Sequence, residues 1–321
     1  MTKYKKGPRY ITFLSEQHSN GGIGHCLNDY ISCVIISEIF PDTVFVNNKF
    51  HIQPNIGRNM LVRPETTDWF NFLNLSMLSS LNLDSLKKKL EFNKINVKKT
   101  TGARKNNRYQ NIDLEYLKKN LQSNKLNYLT NNNRIYLFDL YYYEKLNIVP
   151  QNSTLNIVNK LKQNFYTTNK KMKKQKKIIN VYLRRGDFQP SSFLEEFTLK
   201  TLNLLYEHIN EKDKYTINII SAGQKNEMDK IREEYNNFNP NFLFNQNEKE
   251  VFYLMTQSDI LLFYNSTFSF TASLLCDGKI IKKKDDDYLS KMVKFNDMRF
   301  LNNYIITDNF TKEDICKLDL K

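Results

Sequence analysis

The chain has 321 residues, 40% of them hydrophobic and 26% charged, with only 9 glycines and 7 prolines. This composition excludes a collagen-like or Pro/Gly-rich disordered chain and is typical of a globular protein. Because a single hydrophobic core stops growing at roughly 250–300 residues, the length favours two domains. The longest apolar-leaning run, residues 31–40, contains two serines and a glutamate and is far shorter than the ~20 residues of a membrane helix, so we expect no membrane span.

The formal net charge of +14 raises the question of a nucleic-acid partner. The excess is nearly all lysine scattered among asparagine and isoleucine, a bias that an AT-rich genome produces without any polyanionic partner. We therefore expect no nucleic acid, and a basic nucleic-acid-binding protein is kept as a distant alternative. The absence of an apolar signal core near the amino terminus and of a disulfide framework favours a cytoplasmic protein.

The first 50 residues show the pattern of a βαβ unit. Residues 9–14 have the β-branched and aromatic side chains of a strand, and a glycine-bearing turn follows at 19–24. Residues 25–40 show helical apolar periodicity, and residues 42–47 predict a second strand. This order predicts the start of a Rossmann-like domain.

The middle of the chain predicts helices, a strand and a linker. Leucine spacing favours helices over 80–130, residues 134–143 predict a strand, and residues 155–165 predict an amphipathic helix. The lysine block at 169–177 repels itself and should stay solvated, which favours a linker. We therefore predict two Rossmann-like domains, 1–170 with a helical insertion and 171–321.

The second half alternates strands and helices. Four strand-then-helix pairs in a row predict a parallel sheet covered on both faces, and hence an α/β fold. The predicted strands are 178–183, 215–220, 241–244 and 258–264, and the predicted helices are 194–209, 225–235, 248–257 and 267–275.

Three of the loops that follow predicted strands of the second half carry candidate binding residues. Ligands of parallel sheets bind beyond the carboxyl ends of the strands, which is where these loops lie. The loop Arg184-Arg185-Gly186-Asp187 offers two guanidinium groups, which suit a diphosphate, and an Arg–Asp surface turn is the alternative.

The other two loops are built from small and hydroxyl residues. Those from Ser221 to Gly223 would let a base or a ribose approach the backbone, or form a plain turn. Asn265, Ser266 and Thr267 precede a helix, where they form either an anion site or an ordinary N-cap.

Three segments together resemble the α-1,2-fucosyltransferases and their wider fucosyltransferase kin. YLRRGDF at 182–188 resembles the family's His-x-Arg-Arg-Gly-Asp-Tyr signature, with Tyr182 in place of the histidine. NSTFSF at 265–270 resembles the family's Asn-Ser-Thr-Phe-Ser segment, and GGIGH at 21–25 resembles its Gly-Gly-Leu-Gly-Asn turn. The three segments occur in the family's order.

The resemblance implies two Rossmann-like domains that face a cleft, the GT-B-like arrangement, with an amino-terminal acceptor domain and a carboxyl-terminal nucleotide-sugar domain. It implies an inverting, metal-independent transfer of fucose from GDP-fucose to a hydroxyl of a glycan acceptor, with an α-1,2 linkage. It implies neither a cofactor nor a metal. Because most eukaryotic relatives are Golgi membrane proteins, the expected lack of an anchor suits a cytoplasmic enzyme of a bacterium or of a virus-infected host cell. The alternatives are a transferase for another nucleotide-sugar and a non-catalytic relative that binds a nucleotide or a glycan.

The resemblance also implies roles for single residues. Arg184 would contact the diphosphate with support from Arg185, Asp187 would orient the loop, and Ser266 and Thr267 would bind phosphate at the helix start. Arg184, Arg185 and the helix start near Thr267 would act in catalysis by stabilising the charge that develops on the β-phosphate. The full set expected to bind the nucleotide-sugar comprises Gly22, Gly24, Tyr182, Arg184, Arg185, Asp187, Ser221, Gly223, Asn265, Ser266 and Thr267.

The base that accepts the acceptor's proton is open between two pairs of residues. His18 and His25 flank the glycine turn and have a suitable side-chain pKa, and Glu195 and Glu196 are the rivals.

Asp285-Asp286-Asp287 has the composition of a metal site, but it follows three lysines. We interpret it as a solvated charge run, because no apolar strand directly precedes it to deliver it to a cleft.

Overall fold

The computed structural model describes residues 9–13, 30, 34, 37, 43–46, 69–78, 91–95, 134–138, 151–185, 192–264, 266–284 and 303–318. The chain divides into two compact units, and between the described residues the division falls between Thr168 and Asn169. Each unit contains a parallel sheet with helices. The predicted α/β fold is therefore confirmed, and the cleft between two facing domains stays a prediction.

The first unit contains a four-stranded parallel sheet in the order β2-β1-β4-β3. Its first two strands and the strand after residue 133 agree with the sequence pattern, and its last helix is longer than predicted at both ends. The elements are β1 Arg9–Phe13, β2 Thr43–Phe45, helix α1 Trp69–Phe72, β3 Glu91–Ile95, β4 Arg134–Phe138 and helix α2 Gln151–Thr168.

Aromatic residues around α1 form the described core of this unit. The Tyr30 hydroxyl donates a hydrogen bond to the Leu75 carbonyl at 2.9 Å, and the Tyr30 ring packs edge-on against Phe45. The ring of Phe72 packs edge-on against buried Phe165 of α2, with centroids 5.6 Å apart. The segment around α1 is therefore fixed by burial of aromatic surface against α2.

The strand β3 corrects the prediction of helices over 80–130. Residues 91–95 pair with β4 over five positions, from Glu91 opposite Arg134 to Ile95 opposite Phe138. Strand formation depends on the partner that a segment meets, and here the available edge of β4 overrides the leucine spacing nearby. The leucines that suggested a helix, at 81, 83, 86 and 90, lie outside the described residues.

The second unit contains a six-stranded parallel sheet in the order β10-β9-β8-β5-β6-β7. The strands are β5 Lys177–Leu183, β6 Tyr215–Ser221, β7 Asn241–Phe244, β8 Ile260–Phe263, β9 Lys279–Lys283 and β10 Tyr304–Thr307. The helices are α3 Ser192–His208, α4 Lys225–Tyr235, α5 Glu248–Thr256, α6 Thr267–Leu275 and α7 Lys312–Ile315.

The two faces of β5 have different neighbours. Ile179, Val181 and Leu183 belong to one hydrophobic core together with residues of α3 and α4. Tyr182 contacts Phe268 of α6 instead, with ring centroids 5.9 Å apart. Successive residues of β5 therefore face α3 and α4 or α6 in alternation, as a strand covered on both faces requires.

The strands β9 and β10 are not predicted by the sequence pattern, and β9 bears on the interpretation of the three aspartates at 285–287. It ends at Lys283, so a strand of the sheet closely precedes Asp285-Asp286-Asp287. The reason for interpreting these residues as a charge run was therefore wrong, and the three residues themselves lie outside the described part of the chain.

The lysine block after α2 lies where the division between the two units falls, and residues 170–176 are exposed, as a solvated segment requires. Two of its backbone groups are also hydrogen-bonded to the second unit: the Met172 amide donates to Gln257 Oε1 at 2.9 Å, and the Tyr253 hydroxyl donates to the Lys170 carbonyl at 2.6 Å. The side chain of Lys174 lies 3.0 Å from Asp259. The segment is therefore solvated but in contact with the second unit, and its role as a linker between two domains stays a prediction.

Within the described residues, no helix has both the length and the apolar composition to cross a membrane.

Candidate functional site

The carboxyl ends of three strands meet at one edge of the second sheet. Leu183 of β5 is the register partner of Ser221 in β6, and Tyr182 is the partner of Phe263 in β8. The loops that begin at Arg184, after Ser221 and at Tyr264 therefore start side by side. The sheet thus brings together the described parts of the loops that the sequence singled out.

Arg185 lies inside the protein. Its side chain is 6% exposed, and Nη2 donates to Glu195 Oε1 in the first turn of α3 at 2.5 Å. Nη1 donates to the Tyr264 hydroxyl at 2.5 Å and to the carbonyl of Arg184 at 3.1 Å. We call Arg185, Glu195 and Tyr264 the arginine cluster. Its internal hydrogen bonds leave Arg185 poorly placed to contact a ligand directly.

Tyr264, the residue directly after β8, completes the arginine cluster. Its hydroxyl accepts from Arg185 and donates to the Arg184 carbonyl at 3.3 Å. Burial raises the pKa of Tyr264 to about 12, although the positive charge of Arg185 opposes this rise. The hydroxyl therefore keeps its proton near neutral pH and remains a hydrogen-bond donor.

Glu195 and Glu196 are both paired with cations. Glu195 binds Arg185, and its second oxygen lies 3.6 Å from the Lys230 ammonium. Glu196 pairs with Lys200 on the exposed side of α3 at 2.5 Å. In this arrangement neither carboxylate is held ready to accept a proton from a substrate, so the histidines remain the stronger candidates for the base.

The loop after β6 packs closely on Arg185. The buried hydroxyl of Ser221 donates to the Leu183 carbonyl at 2.7 Å, so it connects β6 to β5. A Cβ added to Gly223 would lie 2.5 Å from Glu227 Oε2 and 3.3 Å from the Cβ of Arg185. These contacts give both residues structural roles, and contact of either with a nucleotide stays a prediction.

The helix α6 begins beside the end of β5. Buried Ser266 is its N-cap residue, and its Oγ accepts from the Ser269 amide at 3.3 Å. The contact of Tyr182 with Phe268 brings the end of β5 to the first turn of this helix. Strand alternation, extended by one residue beyond β5, predicts that Arg184 follows the same face as Tyr182 and α6. Thr267 is the first residue of the helix.

Several predicted site residues lie outside the described residues, and their roles stay predictions. They are His18, Gly22, Gly24, His25, Asp187 and Asn265. Among the residues that the structure describes, no group of three or more His, Cys, Asp or Glu side chains could hold a metal ion.

Tyr264 was not singled out from the sequence, and Glu195 was considered only as a base. Tyr264 is separated from Arg185 by 79 positions, so no local pattern connects them. A usable signal is an acid in the first turn of the helix that follows the double arginine, because a buried guanidinium needs a counter-ion.

Comparisons with known proteins give only distant similarities. No protein-family model matches the chain, and no curated protein matches it. Among solved structures, POFUT1 in complex with GDP is 14% identical, covers 84% of this chain and 95% of its own, and has a TM-score of 0.38. A putative UDP-N-acetylglucosamine 2-epimerase from Listeria monocytogenes is 10% identical, covers 98% and 88%, and has a TM-score of 0.38.

A third similar structure is a trehalose-6-phosphate protein from E. coli bound with UDP-2-fluoro glucose. It is 15% identical over 45% of this chain and has a TM-score of 0.31. The match spans 36% of that protein's own chain. All three TM-scores lie below 0.5, so these similarities do not identify an activity.

Proposed function

We propose that the protein is an inverting, metal-independent glycosyltransferase that moves fucose from GDP-fucose to a hydroxyl of a glycan acceptor, with an α-1,2 linkage. The second unit would bind the donor and the first unit the acceptor. The observation that carries the proposal is the junction of β5 and β8. There Tyr182 of the YLRRGDF segment contacts Phe268 of the NSTFSF segment at the start of α6, and Arg184 follows two residues after Tyr182.

The proposed reaction is an in-line displacement. The acceptor oxygen forms a bond to the anomeric carbon, the bond from that carbon to the β-phosphate oxygen breaks, and the bonding electrons leave with GDP. Arg184 and the amino end of α6 would stabilise the charge that develops on the β-phosphate. A donor placed in this way is worth about 2.7–4 kcal/mol in the transition state, by analogy with oxyanion holes.

The acceptor's proton needs a destination, and His18 or His25 would take it. The guanidinium of Arg184 would supply the positive charge that a divalent cation supplies in other transferases. We therefore propose that the reaction needs no metal.

One observation favours a second candidate, a transferase for another nucleotide-sugar or a binding protein without activity. The residues from Ser221 to Gln224 include no acid that would bind the donor edge of guanine, and the Ser221 hydroxyl is used within the sheet.

A thermal-shift experiment with GDP, UDP and AMP tests the binding step. We expect GDP to raise the thermal midpoint, AMP to do little, and Arg184→Ala to abolish the rise because it removes the cation that holds the diphosphate. Arg232→Ala is the matched control, since Arg232 pairs with Asp229 on the surface of α4. An unchanged rise with GDP in Arg184→Ala would remove Arg184 from the site.

Release of GDP from GDP-fucose in the presence of glycan acceptors separates an enzyme from a binding protein. We expect release that continues in EDTA. Activity that EDTA removes and Mn²⁺ restores would overturn the metal-independent mechanism, and binding without release would favour the non-catalytic alternative.

A further inference from the structure

We infer that the arginine cluster is a positioning device for Arg184, and that Arg185, Glu195 and Tyr264 do not themselves contact the diphosphate. The inference rests on the proposed function, because it assigns what holds the residue that would bind the donor. It also assigns different roles to two arginines that are adjacent in the sequence: Arg184 binds the diphosphate and Arg185 positions Arg184.

Two side-chain donors share one acceptor, the carbonyl oxygen of Arg184. Arg185 Nη1 and the Tyr264 hydroxyl donate to the Arg184 carbonyl at 3.1 and 3.3 Å. The ladder of β5 ends at Leu183, so side chains hold this peptide where strand pairing no longer does. A carbonyl oxygen has two lone pairs, and two donors from different elements restrict the rotation of its peptide plane.

The guanidinium of Arg185 is buried, and protein groups satisfy its charge and its hydrogen bonds. Arg185 is 6% exposed, and a buried guanidinium is stable only with a counter-ion and hydrogen-bond acceptors. Glu195 of α3 supplies the negative charge, and Tyr264, directly after β8, supplies a hydroxyl acceptor. Gly223 has no side chain, which allows the loop after β6 to lie close to Arg185. Three elements therefore fix Arg185.

The side chains of the two adjacent arginines are expected on different faces of β5. Arg185 lies on the face of β5 that packs against α3 and α4, together with Leu183. Alternation predicts that Arg184 follows the opposite face, near the start of α6. Orienting a binding group to within a fraction of an ångström requires that its own supports be locked, and Arg185 is such a support.

The test is a double-mutant cycle on the affinity for GDP. Tyr264→Phe removes one donor to the Arg184 carbonyl, and the loss of one hydrogen bond predicts a Kd about three- to tenfold higher. In an Arg184→Lys background we expect the same change to raise Kd less than about twofold, because a lysine ammonium on a flexible stem depends less on a fixed peptide. Tyr304→Phe is the matched control, since it removes a buried hydroxyl that bonds Ser273 and should leave Kd unchanged.

A second pair of variants keeps the test valid if Tyr264→Phe folds poorly. Glu195→Gln retains an oxygen acceptor for Arg185 but removes the charge, and it should weaken GDP binding in the same background-dependent way. Glu196→Gln removes only a surface pair with Lys200 and should have no effect on Kd. Thermal midpoints without ligand identify the variants that lose stability alone.

The outcomes distinguish this inference from the proposed function. Equal losses of affinity in both backgrounds, or no loss, would overturn the positioning role and leave the GDP site intact. Binding of UDP but not GDP would overturn GDP-fucose as donor, and the same cycle run with UDP would decide the positioning role. A wild-type chain that binds neither nucleotide nor inorganic pyrophosphate would overturn both.

Discussion

Two networks of buried polar groups occur in the same sheet, and they differ in where they end. In the middle of the sheet, Asn241 donates to Asn218 at 3.0 Å and Asn218 donates to Asn180 at 2.8 Å. We call these three residues the amide ladder, and it ends on the Leu254 carbonyl and the Ser258 hydroxyl. The arginine cluster instead ends on the carbonyl of Arg184, at the edge where ligands of parallel sheets bind.

The comparison indicates which kind of buried polar network marks a functional site. The amide ladder is neutral, and at its inner end Asn180 is satisfied by protein atoms alone. The arginine cluster contains charges, and what it fixes is the backbone of a charged neighbour, Arg184. A buried network that holds the backbone of a charged residue at the sheet edge is therefore the better guide to a site.

Breaking the amide ladder should give the largest change in stability. Asn218→Leu leaves the buried Asn180 side chain without its donor, whereas water can replace the partner of exposed Asn241, and this predicts a loss of about 1–3 kcal/mol in the free energy of unfolding. Urea denaturation measures this loss, and the folded variant should bind GDP with unchanged affinity. Asn241→Ala, at the exposed end of the ladder, should cost less than about 1 kcal/mol. A large loss of GDP affinity in Asn218→Leu would contradict the separation of the two networks.

Gly223→Ala should affect both stability and binding. The new Cβ meets Glu227 Oε2 at 2.5 Å and the Cβ of Arg185 at 3.3 Å. The Glu227 carboxylate ends a flexible side chain and can turn away, but it then loses the hydrogen bond that the Gln224 amide donates to it, and Arg185 must yield slightly. The lost capping bond predicts a loss of about 1 kcal/mol in the free energy of unfolding. Titration with GDP should show weaker binding, and unchanged affinity in a destabilised protein would show that the cluster tolerates the shift.

The smallest effect is expected at Asp314, which belongs to neither network. Burial alone would raise the pKa of Asp314, but hydrogen bonds from Lys317 and Thr311 outweigh it and hold this pKa below its ordinary value. The stabilisation is therefore present above the unfolded-state pKa of about 3.9 and is lost as pH falls through the lower folded-state pKa.

Asp314→Ala removes the capping box at the start of α7, with an expected loss of about 1 kcal/mol in the free energy of unfolding at pH 7. Denaturation at pH 7 and pH 2 should show the difference from the wild type shrinking in acid. Asp229→Asn, which breaks an exposed pair with Arg232, is the control and should change stability by less than about 0.5 kcal/mol. A difference that grows in acid would contradict the lowered pKa.

The sequence predicts most of the second sheet but not its far edge. The bounds of β7, α4 and α6 agree with the sequence pattern, because apolar periodicity and turn residues are local signals. The strand β9 consists of two isoleucines between lysines and does not alternate. It exists because β8 and β10 pair with it, and pairing of this kind is not visible in a local window.

The candidate site could be predicted in its residue types but not in its pairings. Position after a buried strand was enough to single out Arg184 and Arg185. Their different roles depend on which face of β5 each follows, and on Glu195 and Tyr264, which arrive from other elements. Contacts across 79 positions arise only when the fold brings the strands together.

A crystal structure of the protein with GDP tests the central claim most directly. The account predicts the β-phosphate within about 2.7–3.2 Å of the Arg184 guanidinium, beside the first turn of α6, with Arg185 still bound to Glu195. Phosphates bound elsewhere, or held by Arg185 after release from Glu195 while Arg184 points away, would contradict it.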